Sequence, residues 1–224
     1  MNTHDHTLSV VKAGVSLIPM VGGPLSSLIG DYVPTAWQRS TNRFCEHLEA
    51  RVKSLEGRIA PEISDHDEMS DLLQQAISSS IKTTRENKLK GAANIIANAL
   101  LADGDKEKLS YTELDHFSKA LDGLSSGALH VLAAACQIPP STQMGALLNP
   151  GNPGEIQFSS GDLIRRANDL DPQLVMSLAS ELGNWNLLRR GDVSVRSVEN
   201  GVTTNIPFFL TSLGLRFMNH IVSP

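Results

Sequence analysis

The sequence predicts a mainly α-helical protein: an N-terminal helical bundle followed by a smaller module of helices with a small β-hairpin. Three observations lead there. Hydrophobic residues fill 41% of the 224 positions but aromatics only 4%, so the core must be Leu, Ile, Val and Ala, which suits packed helices better than a β-sandwich. Apolar positions recur at the spacing of a buried helix face over most of the chain as far as Gln137. Beyond Ser160 the pattern shortens and runs into two extended stretches around Asn200-Gly201, a good hairpin turn. The length allows one large domain or two small ones, each with its own core. The boundary is placed between Asp122 and Gly123, giving units 1–122 and 123–224.

Bulk charge and cysteine usage narrow the function classes. The formal charge is −5, with Lys and Arg spread thinly, whereas a chain that grips phosphates usually shows a basic surplus or block. Cys45 and Cys136 lie far apart in helical segments and are expected to be reduced and to act as small buried hydrophobes. The N-terminus, Met1-Asn-Thr-His-Asp-His6, has no basic n-region and no small-residue cleavage site follows it, so a cytoplasmic protein is expected.

Residues 8–33, LSVVKAGVSLIPMVGGPLSSLIGDYV, are apolar except for Lys12 and Asp31, and Pro19, Gly22, Gly23 and Pro24 interrupt them. The two apolar pieces of about ten residues are each too short to span a bilayer as a helix. A helical hairpin buried in protein fits, and so does a hairpin that inserts into a membrane, since small residues let helices pack closely in lipid. Its candidate contact residues are Leu17, Ile18, Pro19, Met20, Val21, Gly22, Gly23, Pro24, Leu25 and Leu28. Pro34 suits the start of the next helix. There Trp37, Phe44, Leu48, Val52, Leu55 and Ile59 recur at helical spacing, predicting an amphipathic helix of about seven turns that ends before Pro61.

The acidic run 62–71 suits a loop and a helix start, where negative charge meets the positive dipole end; Leu72, Leu73, Ile77 and Ile81 continue that helix. Lys88 to Ala102 is apolar almost all round in its second half, the mark of a helix buried on most sides. Gly104 and the charges from Asp105 to Lys108 form its exit loop. Ser110-Tyr-Thr-Glu113 reads as a capping box; its helix carries Leu114, Phe117 and Leu121 and stops at Gly123. Another helix is expected at about 126–137, and residues 138–160, rich in Pro, Gly, Ser and Asn, form the longest loop.

From Ser160 the sequence predicts a short helix in SGDLIRRANDL, a second ending near Gly183, an extended hairpin, and a last helix capped by Thr211 or Ser212 and running through Ile221. The stretch LIRRANDLDPQLVMSLASELGNWNLLRR resembles the helix-turn-helix and wing entry of winged-helix regulators, and LTSLGLRFMNHI resembles their closing helix. The resemblance implies a winged-helix-like module over roughly the last hundred residues. Residues 85–220 also resemble the abortive-infection alpha-like family of bacterial proteins, through NIIANALLADGDKEKLSYTELDHFSKALDGLS, Leu182-Gly-Asn-Trp-Asn-Leu-Leu188 and the ending Leu210 to Phe217. That resemblance implies a bacterial antiviral-defence or growth-arrest setting and no particular reaction.

A winged helix invites a DNA-binding reading. The helix in the recognition position, Asp171 to Leu182, contains Asp171 and Glu181 and no Lys or Arg, although base and phosphate contacts call for basic and amide side chains. Arg165, Arg166, Arg189, Arg190 and Arg196 are the candidates for a backbone contact. A module used for packing or protein contact is the preferred reading. The three prompts for a metal, His4-Asp5-His6, Glu113 with His116, and His66-Asp67-Glu68, are each better explained as a terminus, a capped helix and a helix start. A carboxylate-bridged di-iron site needs two such Glu-x-x-His pairs and two further Glu, so neither metal nor cofactor is expected. The chain has no phosphate-cradling loop with a lysine, HExxH, GxSxG or Cys-x-x-Cys. The sequence therefore predicts a non-enzymatic protein whose partner is itself or another protein. A membrane is a further partner if the 8–33 hairpin inserts, which would place the protein at the periphery of the inner membrane. Nucleic acid is the less favoured partner, and a structural subunit of a larger complex is a third reading.

Overall fold

The computed structural model describes residues 35–60, 66–139, 154–192, 194–198 and 201–222. The 8–33 hairpin therefore lies outside the described residues, as do most of the 138–160 loop and Asn200. The described chain is mainly helical with a small antiparallel sheet, and it divides into two compact units. One comprises residues up to Asp122 together with His220–Val222, the other Gly123–Asn219.

The first unit contains α1 (Thr35–Ser54), α2 (His66–Lys82), α3 (Glu86–Ala99) and α4 (Tyr111–Gly123, whose last residue counts with the second unit). The spacing that predicted α1 buries Phe44, Leu48 and Val52 on one face. Met69, Leu72, Leu73, Ala76 and Ile77 do the same for α2, and α3 lies against both. Every residue from Gly91 to Leu101 is buried, as expected of a helix apolar all round. That burial includes two polar side chains, Asn94 and Asn98, which must find partners to be tolerated there.

The expected seven-turn first helix is shorter. It ends at Ser54, and Leu55 to Arg58 form turns. Ile59 pairs with Leu101 in an antiparallel bridge, flanked by Ala60 N–H donating to Leu100 O (2.9 Å) and Ala102 N–H to Arg58 O (2.8 Å). These bonds pull the chain out of helical geometry. Arg58 then closes the junction, donating to both oxygens of Asp105 (2.8 and 2.7 Å) and to Glu107 (2.9 Å). The guanidinium holds the Asp105 carboxyl down at about 2. Asn98 stitches the same loop from below, donating to Glu107 O (2.8 Å) and accepting from Leu109 N–H (2.9 Å). At the start of α4, Glu113 N–H donates to Ser110 Oγ (3.3 Å) as expected.

The second unit contains α5 (Ser126–Cys136), β1 (Ile156–Ser159), α6 (Ser160–Arg166), α7 (Pro172–Asn184), β2 (Leu188–Arg190), β3 (Ser194–Val198), β4 (Gly201–Asn205), β5 (Pro207–Leu210) and α8 (Ser212–Phe217). A π-helical turn, Met218–Val222, follows α8. Strands β1, β5 and β2 form a three-stranded antiparallel sheet in that order, and β3 pairs with β4 in a separate two-stranded sheet. Phe158 faces Phe208 across the first ladder, their rings 6.3 Å apart. Phe158, Leu163, Val175, Leu182, Phe209 and Phe217 lie among the core residues of this unit.

Two sequence expectations are corrected here. Residues 138–160 are not all loop, because 156–159 form β1, a strand that exists through its ladder to β5 rather than through its own composition. The hairpin register sets Val198 opposite Gly201, so Gly201 belongs to the second strand rather than to the turn.

Candidate partner-binding face of the second unit

The end of α7 and the start of α8 hold each other in place. Trp185 caps α7, and Asn186 turns the chain with φ 56°, a left-handed conformation in which Asn is enriched. Leu187 N–H then bonds back to Leu182 O (3.2 Å). Thr211 is the N-cap of α8: its Oγ1 accepts from Gly214 N–H (2.9 Å) and donates to the carbonyls of Asn186 (2.7 Å) and Leu187 (3.1 Å). Gly214 lies so close to this segment that a Cβ there would sit 2.2 Å from Leu187 O. The motifs Leu182-Gly-x-x-x-Leu-Leu188 and Leu210-Thr-x-x-Gly-x-x-Phe217 are thus the two halves of one structural joint. They carry no reacting group.

That joint fixes α7, whose inner face buries Val175, Leu178, Ala179 and Leu182. Its acidic residues are engaged. Asp171 caps the helix, accepting from Gln173 N–H (2.9 Å) and Leu174 N–H (3.3 Å). The Glu181 carboxylate accepts from the Ser125 N–H and from Ser125 Oγ (2.9 Å) at the start of α5. The outward residues are then Gln173, Leu174, Ser177, Ser180 and Asn184. This stripe bears no charge. Leu174, 46% exposed, is the exposed large hydrophobic side chain among the described residues.

Three of the five candidate phosphate contacts, Arg165, Arg166 and Arg189, are partnered inside the protein. Arg189 on β2 donates to Glu155 (2.6 Å), a carboxylate only 6% exposed, and its guanidinium lies 4.0 Å over the Phe209 ring. Arg165 pairs with Asp162, and Arg166 donates to Gln137 O (3.1 Å). Arg190 is exposed on β2. Arg196 stands opposite Thr203 in β3, and its side chain lies outside the described ones. The 17–28 candidates of the apolar hairpin also lie outside the described residues. Sequence reasoning missed the exposure of Leu174 and the Glu155–Arg189 and Glu181–Ser125 pairs. No sequence signal announces these pairs, since their members lie 34 and 56 residues apart.

The first unit also contains two polar clefts. A cleft of about 550 Å³ in the first unit is lined by Glu68, Asp103, Asp105, Lys108 and Tyr111, and a second of about 390 Å³ shares Glu68 and Tyr111 with it. Their charges largely pair among themselves, Lys108 with Asp103 (2.6 Å) and Lys119 with Asp115 (2.6 Å), while Asp105 is taken by Arg58. Burial raises the Cys45 thiol and pushes Cys136 up to about 11, so both stay protonated and weakly nucleophilic at neutral pH. Among the described residues no cluster of His, Cys, Asp and Glu could hold a metal ion, and no helix is long and apolar enough to cross a membrane. No family model, curated protein or solved structure matches the chain.

Proposed function

We propose that the protein is a non-enzymatic bacterial defence or growth-arrest protein that works by association with a protein partner, and that its second unit is a winged-helix-like module used for protein contact. The carrying observation is the outward stripe of α7: uncharged, with Leu174 exposed, in the position where a DNA reader would present basic side chains. A neutral face that carries an exposed apolar side chain in its first turn matches the charge-depleted core of protein interfaces and offers nothing to phosphate. The order α5, β1, α6, α7, β2, hairpin, β5, α8, with the sheet order β1-β5-β2, supports the winged-helix-like reading. The resemblance to the abortive-infection alpha-like family supplies the bacterial setting. The apolar 8–33 segment supports a second arm of the mechanism, contact with the periphery of the inner membrane.

The test is phage challenge of bacteria expressing the full chain, its Leu174→Glu variant, or a chain lacking residues 1–33. Loss of protection with Leu174→Glu at unchanged helical content is the expected result. Protection that survives Leu174→Glu, together with duplex binding that weakens steeply with salt and vanishes when Arg189 and Arg190 become Ala, replaces this reading with a DNA-binding regulator. The membrane arm is read separately, by flotation with anionic liposomes: it stands if only the chain carrying residues 1–33 floats and falls if neither does.

A further inference from the structure

Charge is sorted along the bundle of the first unit. Glu86 opens α3, and His47 (2.6 Å) and Arg43 (3.8 Å) of α1 reach it, so α1 and α3 run in the same direction toward the bridge from Ile59 to Leu101. Beside the start of α3, α2 ends at Lys82 and the last turn of α4 brings Asp122. Asp122 takes Lys82 on its carboxylate (3.6 Å) and Lys88 on its backbone carbonyl (2.9 Å). Arg39, Arg43, Lys82, Arg85, Lys88 and Lys90 thus share this end with Glu46, Glu86 and Asp122. Glu86 and Asp122 are engaged, whereas Arg85 and Lys90 are exposed and meet no carboxylate among the described residues. The other ends of α2 and α3 carry the opposite sign: Glu68, Asp71, Asp103, Asp105 and Asp115 line the clefts there and outnumber Lys108 and Lys119. The whole chain carries −5, so the basic end comes from arrangement and not from composition. The chain also enters the bundle at this end: α1 begins about two turns before Arg43, directly after the apolar run 8–33.

We infer that the basic end of the first unit is a docking surface for anionic lipid headgroups. The inference rests on the membrane arm of the proposed function and gives that arm a surface in the folded bundle. An anionic leaflet attracts each Lys or Arg near it, over a range of about a Debye length. It repels the acidic end, so the unit turns its basic end and the start of α1 toward the lipid. The apolar run that precedes α1 is then delivered to the bilayer surface, where a short apolar insertion and a basic patch, each weak alone, add. Nucleic acid also presents phosphates, but an apolar run beside the patch finds nothing to bury against on a phosphate backbone, which favours the lipid. The partner-binding face of α7 plays no part in this inference.

The test measures partitioning of the full chain onto vesicles of phosphatidylglycerol mixed with phosphatidylcholine at low salt. One variant carries Arg85→Glu with Lys90→Glu. A control of the same net charge carries Lys53→Glu with Lys106→Glu, exposed cations at the other end of the bundle. Partitioning of the first variant at least about tenfold weaker than wild type is expected, with the control close to wild type and wild-type binding weakened by added salt. Equal partitioning of the first variant and wild type overturns the inference and leaves the membrane arm standing. An equal loss in both variants also overturns it, because net charge and not the basic end would then govern binding. If the wild-type chain binds no vesicles, the membrane arm falls and this inference with it. Duplex DNA is titrated in parallel: a loss of duplex binding in the first variant without a loss on vesicles makes nucleic acid the occupant and overturns the lipid. Should the glutamates lower the helical content, Arg85→Gln with Lys90→Gln takes their place under the same criteria.

Discussion

The two units are specified in different ways. The first is built from helices whose positions follow from burial: α3 is buried on all sides from Gly91 onward, and α1 and α2 each turn one apolar stripe toward it. The second depends on points. Thr211, Gly214, Asn186, Ser159 with Asp162, and Glu181 with Ser125 each make a contact that a neighbouring residue type could not make. A unit specified by pattern should absorb small changes through side-chain movement, whereas a unit specified by points should fail sharply at those points.

Matched glycine substitutions give the largest expected contrast. Gly214→Ala drives a Cβ to 2.2 Å from a backbone oxygen, with the Leu187 carbonyl carbon at 3.0 Å. The backbone of this turn cannot step aside as a side chain can, so a loss of about 3 kcal/mol is expected. Gly91→Ala meets the ends of the Leu121 side chain at 2.8 and 3.1 Å, which can shift. The gain of about 1 kcal/mol from replacing a mid-helix glycine partly offsets the crowding, leaving a net change within about 1 kcal/mol. Urea unfolding of both variants checks the pair. A mild Gly214→Ala beside a severe Gly91→Ala would reverse the comparison.

Asn98→Ala sharpens it from the other side, because here the first unit does depend on a point. The side chain is 6% exposed and serves both Glu107 O and Leu109 N–H, so its removal strands the buried Leu109 amide and a part-buried carbonyl. A loss of about 2 kcal/mol is expected, with faster amide exchange at Leu109 before any change in α1 or α2. Uniform acceleration over all three helices would mean that Asn98 supports the whole bundle rather than its loop.

What could be read in the sequence follows the same division. The buried face of α1 and the all-round burial of α3 were legible because local periodicity records burial directly. The end of α1 at Ser54 was not, since it is set by the bridge from Ile59 to Leu101, a partner 42 residues on, and Ile59 still falls on the helical period. Strand β1 was hidden for the same reason: its four residues sit in a Pro- and Gly-rich stretch and become a strand only beside β5. Of the five arginine candidates, Arg165 and Arg189 are paired with Asp162 and Glu155, and the second of these pairs arises in space, its members 34 residues apart. The Thr211 cap was legible because an N-cap is a local device, while the reason for Gly214 three residues later was not, since Leu187 approaches it from the turn after α7.

The smallest predicted effect concerns pH and separates a local point contact from the rest of the second unit. Asp162 closes a capping box at the start of α6, accepting from Ser159 Oγ (2.6 Å) and Ser159 N–H (3.1 Å) while Ser159 Oγ accepts from Asp162 N–H (3.1 Å). The Ser159 hydroxyl foremost, then the Ser159 amide and Arg165, hold its carboxyl below the usual range against the opposing effect of burial. A carboxylate whose folded pKa is depressed stabilises the folded state fully above its unfolded value, near pH 4. That contribution is lost as the pH falls through the lower folded value. Asp162→Asn keeps an acceptor for Ser159 but does not titrate, so its stability should fall less steeply than wild type below about pH 4, and the curves should run parallel from pH 5 to 7. Urea midpoints measured across that range read the difference. Parallel curves at all pH values would mean that the box works through its hydrogen bonds alone, and that charge plays no part in starting α6.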